Sequence, residues 1–75
     1  MSQSERLIRI RQMAETGEAR RLREAANLSL RELAPDVLVD ASTLARWETG
    51  ECRPRGAAAL RWERALRRLE QARAS

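Results

Sequence analysis

The sequence lacks histidine, lysine, phenylalanine and tyrosine, and it has only one cysteine, two prolines and three glycines in 75 residues. The absence of histidine excludes histidine catalysis and a zinc-finger ligand set, and the single Cys52 cannot form an internal disulfide. No segment approaches the roughly 18 consecutive apolar residues of a membrane span, and the polar N-terminus has no signal-peptide pattern. We therefore expect a cytoplasmic protein without a metal site, a cofactor or a membrane segment.

Chain length and residue types also argue against an enzyme. A chain of 75 residues fits one domain, residues 1–75, and leaves little room for a buried catalytic cleft. The sequence offers no nucleophile paired with a base and no glycine-rich phosphate-binding loop, and no small-molecule site is evident. A binding function is the better expectation.

The positive charge lies in one third of the chain. All fifteen basic residues are arginine, and residues 1–50 balance eight of them with eight acidic residues. Residues 51–75 hold the other seven arginines and only three acidic residues, which gives the whole net charge of +4. Clustered arginine is typical of proteins that bind nucleic acid. An anionic membrane, an acidic protein or simply a solvated helical face would also fit this charge.

The composition and the capping signals predict an all-α fold. Alanine, leucine, arginine and glutamate are abundant, and these residues favour helices. The patterns Ser2-x-x-Glu5 and Ser29-x-x-Glu32 are capping boxes that mark helix starts. The chain is thus divided into a first helix ending near Thr16-Gly17, a second over about 18–26, a short third after Ser29, a fourth over about 41–49 and a last over about 57–72.

The segment between the third and fourth helices holds an unusual residue. Pro35 removes a backbone hydrogen bond, so we expect the third helix to kink or stop nearby, with a turn over 36–39. Asp40 is a suitable N-cap for the fourth helix, which buries Leu44 and Trp47 and ends at Gly50. Two short helices joined by a tight turn form the geometry with which one helix enters the major groove of DNA.

Residues 29–54, SLRELAPDVLVDASTLARWETGECRP, carry a familiar pattern of caps, core residues and a basic loop. It resembles, at fixed spacing and without insertion, the helix-turn-helix of the phage repressor and Cro type, also called XRE-like. The matching residues are Ser29, Leu33, Ala34, Val39, Ser42, Thr43, Leu44, Trp47, Glu48, Gly50, Arg53 and Pro54. The flanking segments extend the likeness over about 17–69, toward small regulators of GC-rich bacteria and their phages.

This resemblance implies a five-helix, lambda-repressor-like fold with its motif at about 29–50. The implied function is a sequence-specific transcription regulator, a Cro-like repressor, that binds double-stranded DNA with the helix at 41–49. Such a protein acts at the nucleoid, or in the host cytoplasm if it is phage-encoded. If it binds as a homodimer, its half-sites lie about 34 Å apart on a near-palindromic operator.

The resemblance also assigns roles to residues. Those expected at base edges are Ala41, Ser42, Thr43 and Arg46, and those expected at phosphates are Arg53 and Arg55. The residues expected to support the recognition helix are Arg23, Ser29, Ala34, Asp40, Trp47 and Glu48. Arg46 is the best candidate for direct readout because its guanidinium fork can bond guanine O6 and N7 together. Arg23 is expected to pair with Glu48.

Simpler interpretations remain open for some of these residues. Ser42 and Thr43 would also suit an ordinary solvent-exposed helix face. Arg46 would also suit a surface salt bridge with Asp36 or Glu51.

One residue of the turn departs from the family pattern. Leu38 stands where relatives usually have a glycine that accepts a positive φ. A leucine in that conformation is strained by roughly 1–2 kcal/mol.

The last helix carries an apolar stripe, Trp62, Leu66 and Leu69, at helical spacing. The stripe is either part of the core or a dimer face. If the stripe is an exposed face, an alternative function follows. The protein would be a protein-interaction module, such as an antitoxin or adaptor subunit, that binds its partner through the Trp62 face.

Overall fold

Helices account for most of the structure, as the composition predicts. The computed structural model describes residues 1–74, which form five α-helices and no strand. The helices are α1 (Gln3–Thr16), α2 (Glu18–Ala25), α3 (Leu30–Val37), α4 (Ala41–Thr49) and α5 (Gly56–Ala74). The all-α prediction is confirmed for the described residues. Among these helices, none is both long and apolar enough to cross a membrane.

Both predicted capping boxes are present. The Oγ atom of Ser29 accepts a hydrogen bond from the Glu32 backbone N–H at 3.1 Å, and the Ser29 N–H donates to the Glu32 carboxylate at 2.9 Å. Ser2 and Glu5 make the same reciprocal pair at the start of α1. The backbone hydrogen bond from Ser29 lowers the pKa of Glu32. These local bonds begin α1 and α3 at the predicted residues.

The third helix stops near Pro35, as predicted, but two residues past it, at Val37. α3 continues through Pro35 to Val37, so the predicted turn over 36–39 shrinks to the residues after Val37. Pro35 is exposed, and the one hydrogen bond that it removes is offset by burial of its neighbours in the core. The Nε atom of Arg61 on α5 also donates to the Val37 carbonyl at 2.8 Å, which satisfies an acceptor in the last turn of α3.

Leu38 adopts the left-handed conformation that the resemblance implied for this position. Its φ and ψ are 59° and 41°, and its N–H donates to the Ala34 carbonyl at 2.9 Å. The side chain is 71% exposed, so little burial offsets the backbone strain. Asn27, between α2 and α3, has nearly the same φ of 58°, but asparagine tolerates this region better.

The core forms around α5, against which α1, α2 and α3 pack, and it includes Leu44 and Trp47 of α4. Trp62 is 0% exposed, and its ring lies 5.2 Å from that of Trp47, centroid to centroid. Leu66 is also 0% exposed, and Leu69 is partly buried against the same cluster. The burial of Trp62 and Leu66 favours the core interpretation of the stripe over the dimer face, as expected for a chain that needs its large apolar side chains for its own core.

A buried ion pair joins α2 to α4. Arg23 donates to both carboxylate oxygens of Glu48, with Nε at 2.7 Å and the second nitrogen at 2.9 Å. A further guanidinium nitrogen donates to the Leu28 carbonyl at 2.8 Å. The side chains are only 10% and 4% exposed, and the hydrogen bonds to Glu48 raise the pKa of Arg23. The pair that the resemblance implied is present.

We expect replacement of Leu38 by glycine to stabilise the protein by about 0.5–1 kcal/mol. Glycine removes the left-handed strain, and its larger entropy in the unfolded chain cancels part of the gain. Urea unfolding followed by circular dichroism measures the change. Asn27→Gly is the matched control with a smaller expected gain; a gain at Asn27 equal to that at Leu38 would contradict the strain at Leu38.

Replacing one partner of the buried Arg23–Glu48 pair should destabilise the protein far more than replacing one partner of an exposed ion pair. Arg23→Leu or Glu48→Leu leaves a buried charge without its counterion, at a cost of about 3–5 kcal/mol. That cost is comparable to the whole stability of a domain of this size. The double variant leaves neither charge and should lose less than the two single variants together. Thermal unfolding of all four proteins measures this coupling, and additive losses would argue against it.

Candidate nucleic-acid interface

The two faces of α4 differ sharply in exposure. Leu44, Trp47 and Glu48 are buried against the rest of the domain. Ser42 and Arg46, one turn apart, are exposed on the opposite face. Ala41 and Thr43 are half-buried at the start of the helix. The four residues predicted at base edges therefore lie along the first turns of α4, with Ser42 and Arg46 the most accessible.

The side chain of Asp40 bonds another side chain and does not cap the backbone of α4 as predicted. Asp40 occupies the N-cap position with φ −77° and ψ 160°, but its side chain makes no hydrogen bond to the backbone of α4. It instead accepts a hydrogen bond from the Thr43 hydroxyl at 2.6 Å. Asp40 is therefore the N-cap residue by its backbone position, as predicted, but its side chain bonds the Thr43 hydroxyl in place of a backbone cap.

The contact with Thr43 keeps Asp40 negatively charged beside the exposed face of α4. The hydrogen bond from Thr43 lowers the pKa of Asp40, and the positive charge of Arg46 lowers it further. Asp40 therefore remains a carboxylate at neutral pH. Because the Thr43 hydroxyl donates its hydrogen bond to Asp40, it can only accept hydrogen bonds from a ligand.

Arg46 is exposed at the second turn of α4. Across residues 1–74 it forms no salt bridge, so the predicted alternatives, ion pairs with Asp36 or Glu51, are not observed. Its carbonyl accepts bonds from the Thr49 hydroxyl and from the Cys52 N–H, at the end of α4. The guanidinium therefore projects from a backbone that is anchored at this point.

A basic loop follows α4 after Gly50, which takes the left-handed conformation with φ 80°. Arg53 and Arg55 are exposed on either side of Pro54, which is buried. The Cys52 N–H bonds the Arg46 carbonyl at 3.2 Å, so the loop turns back against the end of α4. The two arginines predicted at phosphates are thus beside the helix predicted at bases.

Other residues hold α4 at its angle to the domain. Ala34 of α3 is buried in the core, and α3 packs directly against α4, so a larger side chain at Ala34 would force the packing to shift. Trp47 is buried against Trp62. Arg23 of α2 donates hydrogen bonds to Glu48 and to the Leu28 carbonyl, so one guanidinium connects α2, the loop before α3, and α4. Ser29 supports the motif indirectly, through the cap of α3.

Two arginines that the sequence did not single out also contact the motif. Arg61 donates to the Val37 carbonyl before the turn, and Arg11 donates to the Pro54 carbonyl in the basic loop, at 3.0 Å. Their partners lie 24 and 43 residues away in the chain. The only sequence signal is their position beside the apolar stripe of a helix, which many arginines share.

Comparison with known proteins agrees with this geometry. A model of the helix-turn-helix family matches residues 20–70, which is more than half of the chain and contains α3, α4 and the basic loop. No curated protein and no solved structure matched the chain. The chain belongs to the Cro/XRE-like helix-turn-helix family of DNA-binding transcription regulators.

Proposed function

We propose that this regulator is a Cro-like repressor that recognises a specific duplex operator with α4. The observation that carries the proposal is the division of α4 into two faces. The inner face is held by Trp47 and by the buried Arg23–Glu48 pair. The outer face presents Ser42 and Arg46, and Arg46 forms no salt bridge with any other described residue. A helix that is rigidly held and polar on its outer face suits insertion into the major groove.

The residues divide between reading bases and fixing position. Arg46 bonds the O6 and N7 atoms of a guanine with its planar fork. Ser42 donates or accepts at a neighbouring base, Thr43 accepts through its free lone pairs, and Ala41 makes apolar contact at the groove entrance. Arg53 and Arg55 neutralise phosphates and fix the register of α4 without reading sequence.

Repression requires nothing beyond this interface, because a protein seated on an operator excludes other proteins from the same DNA. The regulator then acts wherever its operator DNA is, at the nucleoid or in the cytoplasm of a phage host. A homodimer would place two copies of α4 about 34 Å apart on one side of the duplex. Its contact would use a surface other than Trp62 and Leu66, which are buried. The antitoxin or adaptor alternative would likewise need a contact surface other than Trp62 and Leu66.

Selection of bound sequences from a random duplex pool tests the proposal directly. Recovery of a defined site supports sequence-specific recognition, and two copies of it in inverted orientation support a dimer. Recovery of no preferred sequence would reject the operator model. Reporter transcription from a promoter that overlaps the recovered site then separates repression from activation.

We expect Arg46→Ala and Arg53→Ala to affect DNA binding in different ways. Loss of the guanine contact should weaken binding to the selected site by about 1–3 kcal/mol and relax preference at one base pair. Loss of Arg53 should weaken selected and random duplexes alike, and should reduce the slope of log K against log salt by about 1. Titration of both duplexes at several salt concentrations measures these effects. Equal losses on both duplexes for Arg46→Ala would remove its role in reading bases.

Asp40→Asn should strengthen binding to all duplex DNA by a few-fold. The substitution removes a negative charge that faces the phosphates, and the asparagine oxygen can still accept from Thr43. Asparagine is also a good N-cap residue, so the stability should be preserved. Asp36→Asn on α3 is the matched control because it removes an exposed charge outside α4. An increase no larger than that of the control would place Asp40 away from the DNA.

A further inference from the structure

The first helix contributes one side chain to the basic loop. The Nε atom of Arg11 on α1 donates to the Pro54 carbonyl at 3.0 Å, in partly buried surroundings. Arg11, Cys52, Arg53 and Pro54 line one groove between α1, α4 and the loop. α1 covers Gln3–Thr16 and so lies outside the segment matched by the helix-turn-helix family, residues 20–70.

The Arg11 bond falls between the two arginines proposed to contact phosphates. Within residues 1–74, three hydrogen bonds hold this loop: Cys52 N–H to the Arg46 carbonyl, Ala59 N–H to the Arg55 carbonyl, and Arg11 to the Pro54 carbonyl. The first two connect the ends of the loop to α4 and α5. The third is made by a side chain and holds the centre of the loop.

The base of this side chain is itself held in place. Ile10, Met13 and Ala14, beside Arg11 on α1, are buried in the core. Arg6 of the same helix donates to the Leu60 carbonyl at 2.9 Å and to the buried carboxylate of Glu63 at 2.7 Å. α1 is therefore fixed against α5 at one end, and Arg11 transmits that position to the loop.

We propose that Arg11 is a positioning residue for DNA binding, which holds Arg53 and Arg55 at the spacing that phosphates require. The proposal rests on the proposed function of the loop. A loop that is already ordered loses less conformational entropy when it binds, so the gain is in affinity for all duplex DNA. A direct contact of Arg11 with a phosphate is the competing explanation.

A double-mutant cycle separates the two explanations. Arg11→Gln, and Arg11→Met, which keeps the aliphatic stem, should weaken binding to random duplex by about three- to tenfold. In the background of Arg53→Ala and Arg55→Ala the same change should have almost no effect, because the arginines that it positions are gone. An undiminished loss in that background would overturn the proposal in favour of direct contact. Arg20→Gln controls for the loss of one charge, because Arg20 is an exposed arginine on α2 that pairs with Glu24.

The single thiol gives a readout that does not depend on DNA. Cys52 is exposed within the loop, and it can carry a spin label in the otherwise unaltered full chain. Arg11→Gln should increase the mobility of that label, whereas Arg20→Gln should leave it unchanged. Equal mobility in the Arg11 variants and the parent would overturn the proposal. If the parent protein itself failed to bind duplex DNA, the proposed function would fall, and the label would still decide whether Arg11 orders the loop.

Discussion

Glu48 faces inward from α4, where a carboxylate can remain charged only if a cation comes with it. Arg23 supplies that cation through two hydrogen bonds, and its third guanidinium nitrogen donates to the Leu28 carbonyl. Because a bidentate pair is directional, it specifies the rotation of α4 about its own axis as well as its distance from α2. The outward orientation of Ser42 and Arg46 follows from that rotation. The main effect of the pair is thus to orient α4, and its net contribution to stability is smaller.

A second ionic contact performs the same task on the other side of the domain. The Glu63 carboxylate is buried on α5, and it accepts hydrogen bonds from Arg6 of α1 and from Arg67 of its own helix. With so few aromatic residues, the core rests on two tryptophans and on aliphatic side chains, and these arginine–glutamate contacts set how the helices meet around it. Arginine is suited to the task because its long stem packs against apolar surface while its planar head bonds at the edge of the core.

The motif departs from ordinary helix rules where α3 meets α4. α3 tolerates Pro35 in its interior, and Leu38 takes a conformation that favours glycine. Both features destabilise the local backbone and can be recognised from the sequence, but the tertiary surroundings decide whether the helix ends there. Here Val37 is fully buried and Arg61 bonds its carbonyl, so tertiary contacts outweigh the local preference for an earlier end. The predicted turn began too early because no local rule pairs Arg61 with the Val37 carbonyl, 24 residues away.

The amino-acid sequence alone determined the features that depend on residues three or four positions apart. The capping boxes at Ser2 and Ser29, the end of α4 at Gly50 and the amphipathic pattern of α4 are of this kind, because their hydrogen bonds and faces are formed within one helical turn. The motif spacing likewise indicated the helix-turn-helix.

Only the tertiary structure decided which apolar stripe was buried and which arginines brace the motif. The stripe of α5 that begins at Trp62 has the same periodicity whether it meets its own core or a second chain. The bond from Arg11 to Pro54 spans 43 residues, so no local rule could pair the two. Such contacts arise only when the helices pack, because packing brings together groups that the chain itself keeps far apart.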